Sequence, residues 1–248
     1  MLFLLRKIRR KLMKKNKFTT YLFYAIGEII LVVIGILIAV SLNNLNEKRK
    51  LVQTELKMLY EINENLKECQ LEIEGVLKNN SSSVNSYYLL LDHFERRLPN
   101  QDTLNRYFAD LSGWSSPYLT FTAYESLKQK GVDLISNDSL RLKITQIYEN
   151  HFNYLINDWD RAEWRDSESI VGPYFSKNFS FEVRSRSAGS VIPNDYNELM
   201  NDREFKNILT MVIANREWGN NNCKAVLKRL DELIKEIDLE LTERGYCI

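Results

Sequence analysis

The chain has 248 residues, with 34 basic and 33 acidic side chains and a net charge of +1. The balance hides a basic cluster near the N-terminus, which we interpret as a membrane anchor rather than a nucleic-acid arm, so we expect no nucleic-acid partner. The low content of 9 Gly and 4 Pro argues against a turn-rich β fold and favours long helices. One membrane span would leave roughly 200 residues, which is enough for a domain with its own core.

The first 17 residues form a strongly basic head with eight basic residues and no acidic one. Leu5, Ile8 and Leu12 fall on one helical face, which is typical of an amphipathic helix lying on a membrane surface. A disordered basic tail fits the same composition. The cations that we expect to anchor the head to lipid headgroups include Arg6, Lys7, Arg9, Arg10 and Lys11.

Residues 18–42 predict a transmembrane helix. Glu28 is the only charged residue among them, and residues 29–40 are apolar throughout except for Gly35. Roughly 20 helical residues cross the ~30 Å hydrocarbon core of a bilayer. A cleaved signal peptide is the competing interpretation, but its apolar region is usually shorter, and Ala39-Val40-Ser41 is a poor cleavage site.

The basic head predicts the orientation of this helix. Because Lys and Arg beside a span stay in the cytoplasm, we expect the N-terminus inside and residues 43–248 outside. Lys48, Arg49 and Lys50 weaken this bias without reversing it.

Small residues form a stripe within the span. Gly27, Leu31, Gly35 and Ala39 recur at every fourth position and therefore share one helical face. The spacing Gly35-x-x-x-Ala39 allows a second helix to approach closely, so these glycines and the alanine are candidate helix-packing residues.

Glu28 lies beside this stripe, roughly 12 Å along the helix from Thr20. A carboxylate at such a depth costs several kcal/mol if it is ionised and unpaired, so we expect it to be protonated, paired or at a protein interface. Three interpretations remain open. Glu28 reaches Lys17 or a headgroup, hydrogen-bonds across a homo-oligomeric interface, or binds and releases protons.

Residues 24–50 read YAIGEIILVVIGILIAVSLNNLNEKRK and follow an RKIRR run at residues 6–10. Together they resemble an uncharacterised family of single-span inner-membrane proteins from Bacteroidota-type bacteria, which share the basic head, the GEIILVVIGILIA span and an NNxNE segment. A weaker likeness runs through residues 120–148, where Gln129-Lys130-Gly131 departs from the usual Ser-Gly. The resemblance implies an inner-membrane protein with a helical periplasmic domain, and it implies no reaction.

The body, residues 43–248, is predicted to be helical almost throughout. Apolar positions spaced three and four apart predict a long helix over residues 45–98. The Asn/Ser patch at residues 79–83 is either a break between two helices or a polar layer in this apolar seam. Further helices are predicted over residues 103–169 and 202–244, separated by an irregular loop, residues 172–195, in which part alternates like a strand or hairpin arm.

These elements predict an all-α protein: an N-terminal transmembrane helix that continues into the long helix, with an extramembrane antiparallel helical bundle. The C-terminal seam most simply returns antiparallel to the first. Cys69 and Cys223 lie on the two seams, and a register that pairs them brings residue 248 back to residue 44. They would form a disulfide in an oxidising periplasm if their Cα atoms come within ~7 Å, and are otherwise buried free thiols.

No motif predicts catalysis, a cofactor or a metal site. His93 and His151 are far apart, and no Glu-x-x-His or Cys-x-x-Cys spacing occurs, which disfavours zinc and di-iron sites. The acidic run over residues 158–168 is typical of a solvated helix face with local ion pairs. A peptide or glycan groove near Trp114, Tyr118 and Phe121 is an alternative use of the aromatic middle of the body.

We therefore expect a structural or interaction module of the inner membrane, not an enzyme, whose partners are membrane lipids and a second copy or another membrane protein. The alternative is a proton-coupled, force-transducing subunit or a ligand sensor that uses Glu28. Replacement of Glu28 by Gln separates these functions, because proton coupling requires a titrating side chain.

Overall fold

The computed structural model describes residues 17–185 and 188–246. The anchoring residues of the head, Arg6, Lys7, Arg9, Arg10 and Lys11, lie outside the described residues. The chain divides into two compact units, with the boundary in the sequence between Thr54 and Glu55.

The first unit is helical throughout its described part. Helix α1 begins at Lys17 and ends at Glu95, and its residues before Glu55 belong to this unit. From Tyr21 to Gln53 the side chains are exposed, apart from Ala25. This unit contains an 18-residue stretch with a mean hydropathy of 2.8, which by length and composition is sufficient to cross a membrane.

The second unit contains the remaining elements, most of them helical, and the expected all-α class is confirmed. A continuous helical stretch over residues 138–178 alternates between α-helical and π-helical hydrogen bonding. Its α-helical parts are α4 (Asp138–Gln146), α5 (Arg161–Asp166) and α6 (Gly172–Asn178), and its π-helical parts are Ile147–Phe152, Tyr154–Asp160 and Ser167–Val171. The other helices are α2 (Leu104–Leu111), α3 (Thr122–Lys130), a 3₁₀ turn (Val132–Leu134), α7 (Tyr196–Asn201) and α8 (Arg203–Glu243).

Local chemistry marks several helix boundaries. The Asn137 side chain accepts hydrogen bonds from two backbone N–H groups in the first turn of α4, and Asp202 accepts one from the Glu204 N–H at 2.7 Å. These bonds satisfy donors that a first helical turn leaves free. After α3 the chain turns at Gly131, where a φ of 97° disfavours any residue with a side chain.

A two-stranded antiparallel hairpin follows α6. Strand β1 (Phe179–Ser185) pairs with β2 (Ala188–Pro193), and Phe181 lies opposite Val191. Phe179 and Val191 are buried on the same face of this hairpin. The segment predicted as an irregular loop from residue 172 therefore has an ordered helix and hairpin in the structure.

The buried apolar side chains of the second unit form two cores. The first core joins α1 between Leu56 and Val76 to α3, residues 135–159 and the later part of α8. The second core joins α1 between Tyr87 and Phe94 to α2, residues 171–179 and the start of α8. On α1 the first core uses positions three or four residues apart, as expected for an apolar seam, namely Leu59, Ile62, Leu66, Cys69, Ile73 and Val76.

Candidate functional site

Between the two cores, each long helical stretch carries a buried polar residue. These buried polar residues are Asn80 on α1, Glu163 on α5, and Arg216 and Asn220 on α8. None of them is more than 6% exposed. Each lies in the sequence between residues of the first core and residues of the second core. We call these four residues, with loop residues 113–115, the polar layer.

Asn80 joins α1 to the loop of the polar layer. Its side-chain amide donates to the carbonyl oxygen of Ser115, and its side-chain oxygen accepts from the Ser115 N–H, both at 2.9 Å. Helix α1 runs unbroken through residues 79–83. Of the two interpretations of the Asn/Ser patch, the structure therefore has the polar layer and not the break.

Arg216 joins this loop to two further helices. Its Nε donates to Glu163 Oε1 at 2.9 Å, and its Nη2 donates to the Gly113 carbonyl oxygen at 3.2 Å. The guanidinium carbon lies 6.0 Å from the centre of the Tyr87 ring on α1, which is within reach of a cation–π attraction. Tyr87 in turn donates its hydroxyl proton to the Asp110 carbonyl oxygen in α2. One arginine therefore contacts α1, α5 and the loop.

Burial governs the protonation of this cluster. It raises the pKa of Glu163 above its usual value, and the positive charge of Arg216 opposes this shift only in part. Burial also raises the pKa of Tyr87 to about 12, so its hydroxyl remains a donor at neutral pH. Because both charges are desolvated, removal of either partner leaves an uncompensated charge in the interior.

A close packing contact beside the ion pair depends on a glycine. Trp159 is fully buried, and a Cβ built on Gly219 would lie 2.0 Å from its Cε2 atom. No side chain fits there unless the ring or the backbone moves. Gly219 is the only glycine in α8, and the helix accepts the indole this closely at that position.

The acidic run over residues 158–168 is only in part the solvated face that its charges predicted. Asp158 and Glu168 are exposed, but Glu163 is buried and pairs with an arginine 53 residues away. The prediction was wrong for Glu163 because charge spacing along one helix cannot show partners on other helices. The available signal was Trp159, one turn before Glu163, since a large apolar residue marks the buried face.

A second buried carboxylate, Glu55 on α1, joins two other segments. It accepts hydrogen bonds from the backbone N–H and the hydroxyl of Ser136, at 2.8 and 2.7 Å, and from Arg244 Nη2 at 2.6 Å. Burial acts to raise the pKa of Glu55, but the bonds from Arg244 and Ser136 outweigh burial and hold the pKa below its usual value. Glu55 thus holds the end of α8 and the loop before α4 against α1.

The residues predicted to act in the membrane lie on the exposed first part of α1. Glu28, Gly35 and Ala39 are all exposed, and a Cβ built on Gly27 or Gly35 meets no atom within 4 Å. At about 100° per residue, Glu28 projects between Gly35 and Ala39 around the helix circumference. The carboxylate and the small residues therefore share one face.

Cys69 and Cys223 are both buried free thiols. The register predicted to pair them places residue 63 opposite Arg229, whereas Asn63 donates to Asp238 at 2.6 Å, nine residues further along α8. That register was wrong because apolar seams bury each other equally well in several registers. Burial raises the pKa of Cys69 to about 11 and that of Cys223 to about 12, which makes both thiols poorly reactive at neutral pH.

The three aromatic residues expected near a groove have separate surroundings. Trp114 bonds to Asp160, Phe121 packs edge-on against Phe152 of the first core, and Tyr118 is 84% exposed. Among the described residues, no group of three or more His, Cys, Asp or Glu is placed to hold a metal ion. A shallow groove of about 460 Å³ is lined by Ile170, Arg203, Glu204, Asn207, Ile208 and Met211.

Comparison with known proteins identifies one family. The model of a family of unknown function (DUF6090) matches residues 28–217, about three quarters of the chain. No curated protein and no solved structure matches the chain. The match begins at Glu28 and ends just after Arg216, so it includes residues 29–40 of α1 and all of the polar layer except Asn220.

Proposed function

The chain belongs to the family of unknown function DUF6090, and we propose that it is a membrane-anchored helical module that binds other proteins. The observation that carries this proposal is the apolar first part of α1. The large apolar side chains from Tyr21 to Leu42 are 42–77% exposed, which is far more contiguous apolar surface than a protein in water tolerates. A lipid bilayer would cover them along the full length of this stretch.

We further propose that this bilayer is a bacterial inner membrane, with residues 1–17 in the cytoplasm and the body in the periplasm. The support for this orientation is the charge of the head, which has eight basic residues and no acidic one. Positive residues beside a span are retained on the cytoplasmic side.

A second copy of the chain is the proposed partner inside the membrane. Gly35 and Ala39 let two helices approach closely, and Glu28 on the same face would hydrogen-bond across the pair. This bond would remove the cost of an unpaired carboxylate in lipid.

Ile36→Arg tests the membrane anchor. An arginine in a membrane helix costs up to about 2.5–3.5 kcal/mol of insertion free energy, so a smaller fraction of the full chain should resist carbonate extraction. Leu239→Arg is the matched control, because Leu239 is 61% and Ile36 57% exposed but Leu239 lies on α8. Equal membrane fractions for the two variants would contradict the proposal.

Gly35→Leu tests the pairing of two copies. The larger side chain should keep the two helices apart, which lowers the yield of cross-linked dimer in native membranes. Ser41→Leu adds the same side chain about 120° around the helix from Gly35 and should leave the dimer intact. A dimer yield that is unchanged by Gly35→Leu argues against this interface.

The second candidate function is a proton-coupled force-transducing or ligand-sensing subunit, which the position of Glu28 in an apolar exposed segment favours. Glu28→Gln retains hydrogen bonding but cannot titrate. In a binding module, both the dimer and the cellular phenotype survive this change. In a proton-coupled subunit, the dimer survives but the variant reproduces the phenotype of the gene deletion.

A further inference from the structure

The apolar seams of α1 and α8 do not determine how far one helix is shifted along the other. Buried positions recur every three or four residues on both helices, so a shift of one heptad again places apolar residues opposite each other. The structure nevertheless has one register, in which Asn63 bonds to Asp238 and the Tyr88 hydroxyl donates to Glu217 at 2.8 Å. Apolar burial alone does not explain this choice.

The polar layer contains a chain of contacts that only this register satisfies. Asn80 of α1 holds Ser115, and Arg216 of α8 donates to Gly113 in the same loop and to Glu163 of α5. A heptad shift of α8 would move Arg216 by about 10 Å. It would lose both acceptors, and Glu163 would remain buried without a cation.

The contact between Trp159 and Gly219 adds a steric condition to the same layer. A Cβ at position 219 already lies within 2.0 Å of the indole ring. A heptad shift in either direction would bring Val212 or Val226 to this place, and a valine side chain cannot fit where a methyl group cannot.

We infer that the polar layer is a conformational device that selects one register of α1, residues 138–178 and α8, and that it contributes specificity rather than stability. The physical reason is the balance of a buried ion pair. Apolar residues of similar volume in place of both partners are often neutral or stabilising, whereas loss of one partner is strongly destabilising. The two cores supply the apolar burial, and the layer between them excludes the shifted alternatives.

The test compares the full chain in detergent micelles with a double variant, Glu163→Met with Arg216→Met. The matched control is Lys143→Met with Glu236→Met, an exposed ion pair between α4 and α8 with a distance of 2.6 Å. Register is read with a short bismaleimide in a Cys247→Ser background. Because Asn63 is fully buried and Tyr88 is 48% exposed, one cysteine replaces Tyr88. The second replaces either Glu217, its hydrogen-bond partner in the structure, or Thr210, one heptad away on α8. The buried Cys69 and Cys223 should not react, since burial raises their pKa values to about 11 and about 12.

The expected result is that the double variant melts at or above the temperature of the parent and cross-links at both 88/217 and 88/210. The parent and the exposed-pair control should cross-link at 88/217 alone. Two results would overturn the inference. A double variant that cross-links only at 88/217 shows that the register is fixed without the layer. One that melts well below the parent, or does not fold, shows that the layer supplies stability.

Discussion

Within α1, residues 29–40 are apolar at every position except Gly35, whereas the later part of the same helix buries apolar residues only three or four positions apart, from Leu59 to Val76. The first stretch is exposed on every side and the second is covered on one side by the first core. The two stretches therefore differ both in the fraction of apolar residues and in how these residues are arranged. A helix with one apolar face can bury that face against the rest of the protein. A helix that is apolar on every side, with no protein around it, is stable only in an apolar medium such as the interior of a bilayer.

The same comparison applies to charged residues in apolar surroundings. Glu28 lies on the exposed stretch, while Glu163 and Arg216 are buried together in the body, 2.9 Å apart. The interior of the body therefore supplies a partner from the chain itself. In the exposed stretch, the partners left open for Glu28 are Lys17, a lipid headgroup and another protein.

The largest effect is expected from Arg216→Met, which breaks the internal pairing. It leaves Glu163 buried without a cation, so the free energy of unfolding at pH 7 should fall by about 3–5 kcal/mol. The raised pKa of Glu163 sets the sign of the pH dependence. Glu163 becomes protonated and neutral as pH falls through its folded pKa, and the cost of burying its unpaired negative charge then disappears. The decrease in unfolding free energy caused by Arg216→Met should therefore be smaller in acid than at pH 7.

Chemical denaturation at several pH values measures this effect. Lys143→Met is the control, because Lys143 and its partner Glu236 are both more than a third exposed and such pairs contribute about 0–1 kcal/mol. Equal decreases in the free energy of unfolding for the two variants at pH 7 would contradict the prediction that a buried Glu163 without its cation is more costly than an exposed glutamate without one.

A smaller effect is expected when one leucine is truncated in each part of α1. Leu66 is fully buried and Leu31 is 55% exposed. Leu66→Ala should lower the free energy of unfolding by about 2–5 kcal/mol, because it removes apolar burial and leaves a cavity. Leu31→Ala should leave the free energy of unfolding of the body nearly unchanged. Similar decreases for the two variants would contradict the assignment of Leu66 to the core and of Leu31 to an exposed stretch.

The smallest effect is expected from Glu55→Gln. Because the pKa of Glu55 is lower in the folded chain than its usual value, its stabilisation is complete above the unfolded pKa and is lost as pH falls through the folded pKa. The substitution should cost on the order of 1 kcal/mol at pH 7 and should flatten the acid side of the stability profile. Glu125→Gln changes an exposed glutamate and provides the baseline, and parallel profiles for the two variants would rule out a role for Glu55 in acid sensitivity.

Features that depend on local pattern were predictable from the sequence. The all-α class and the seam positions on α1 follow from apolar spacing. Features that depend on a distant partner were not. The burial of Glu163 requires knowledge of Arg216, and the register of α8 requires the contacts of the polar layer, because repeated apolar spacing is compatible with several alignments. The hairpin after α6 was only partly visible, since its two strands are short.

The contact between Trp159 and Gly219 also has a consequence for intrinsic helix formation. In an isolated helix, alanine is more favourable than glycine by about 0.8–1.0 kcal/mol, so Gly219→Ala should raise the helicity of a peptide that corresponds to α8. In the folded chain the same methyl group collides with the indole ring, so the substitution should destabilise the protein. The same substitution should therefore stabilise the isolated helix and destabilise the folded protein. At position 219, intrinsic helix propensity and tertiary packing favour different residues.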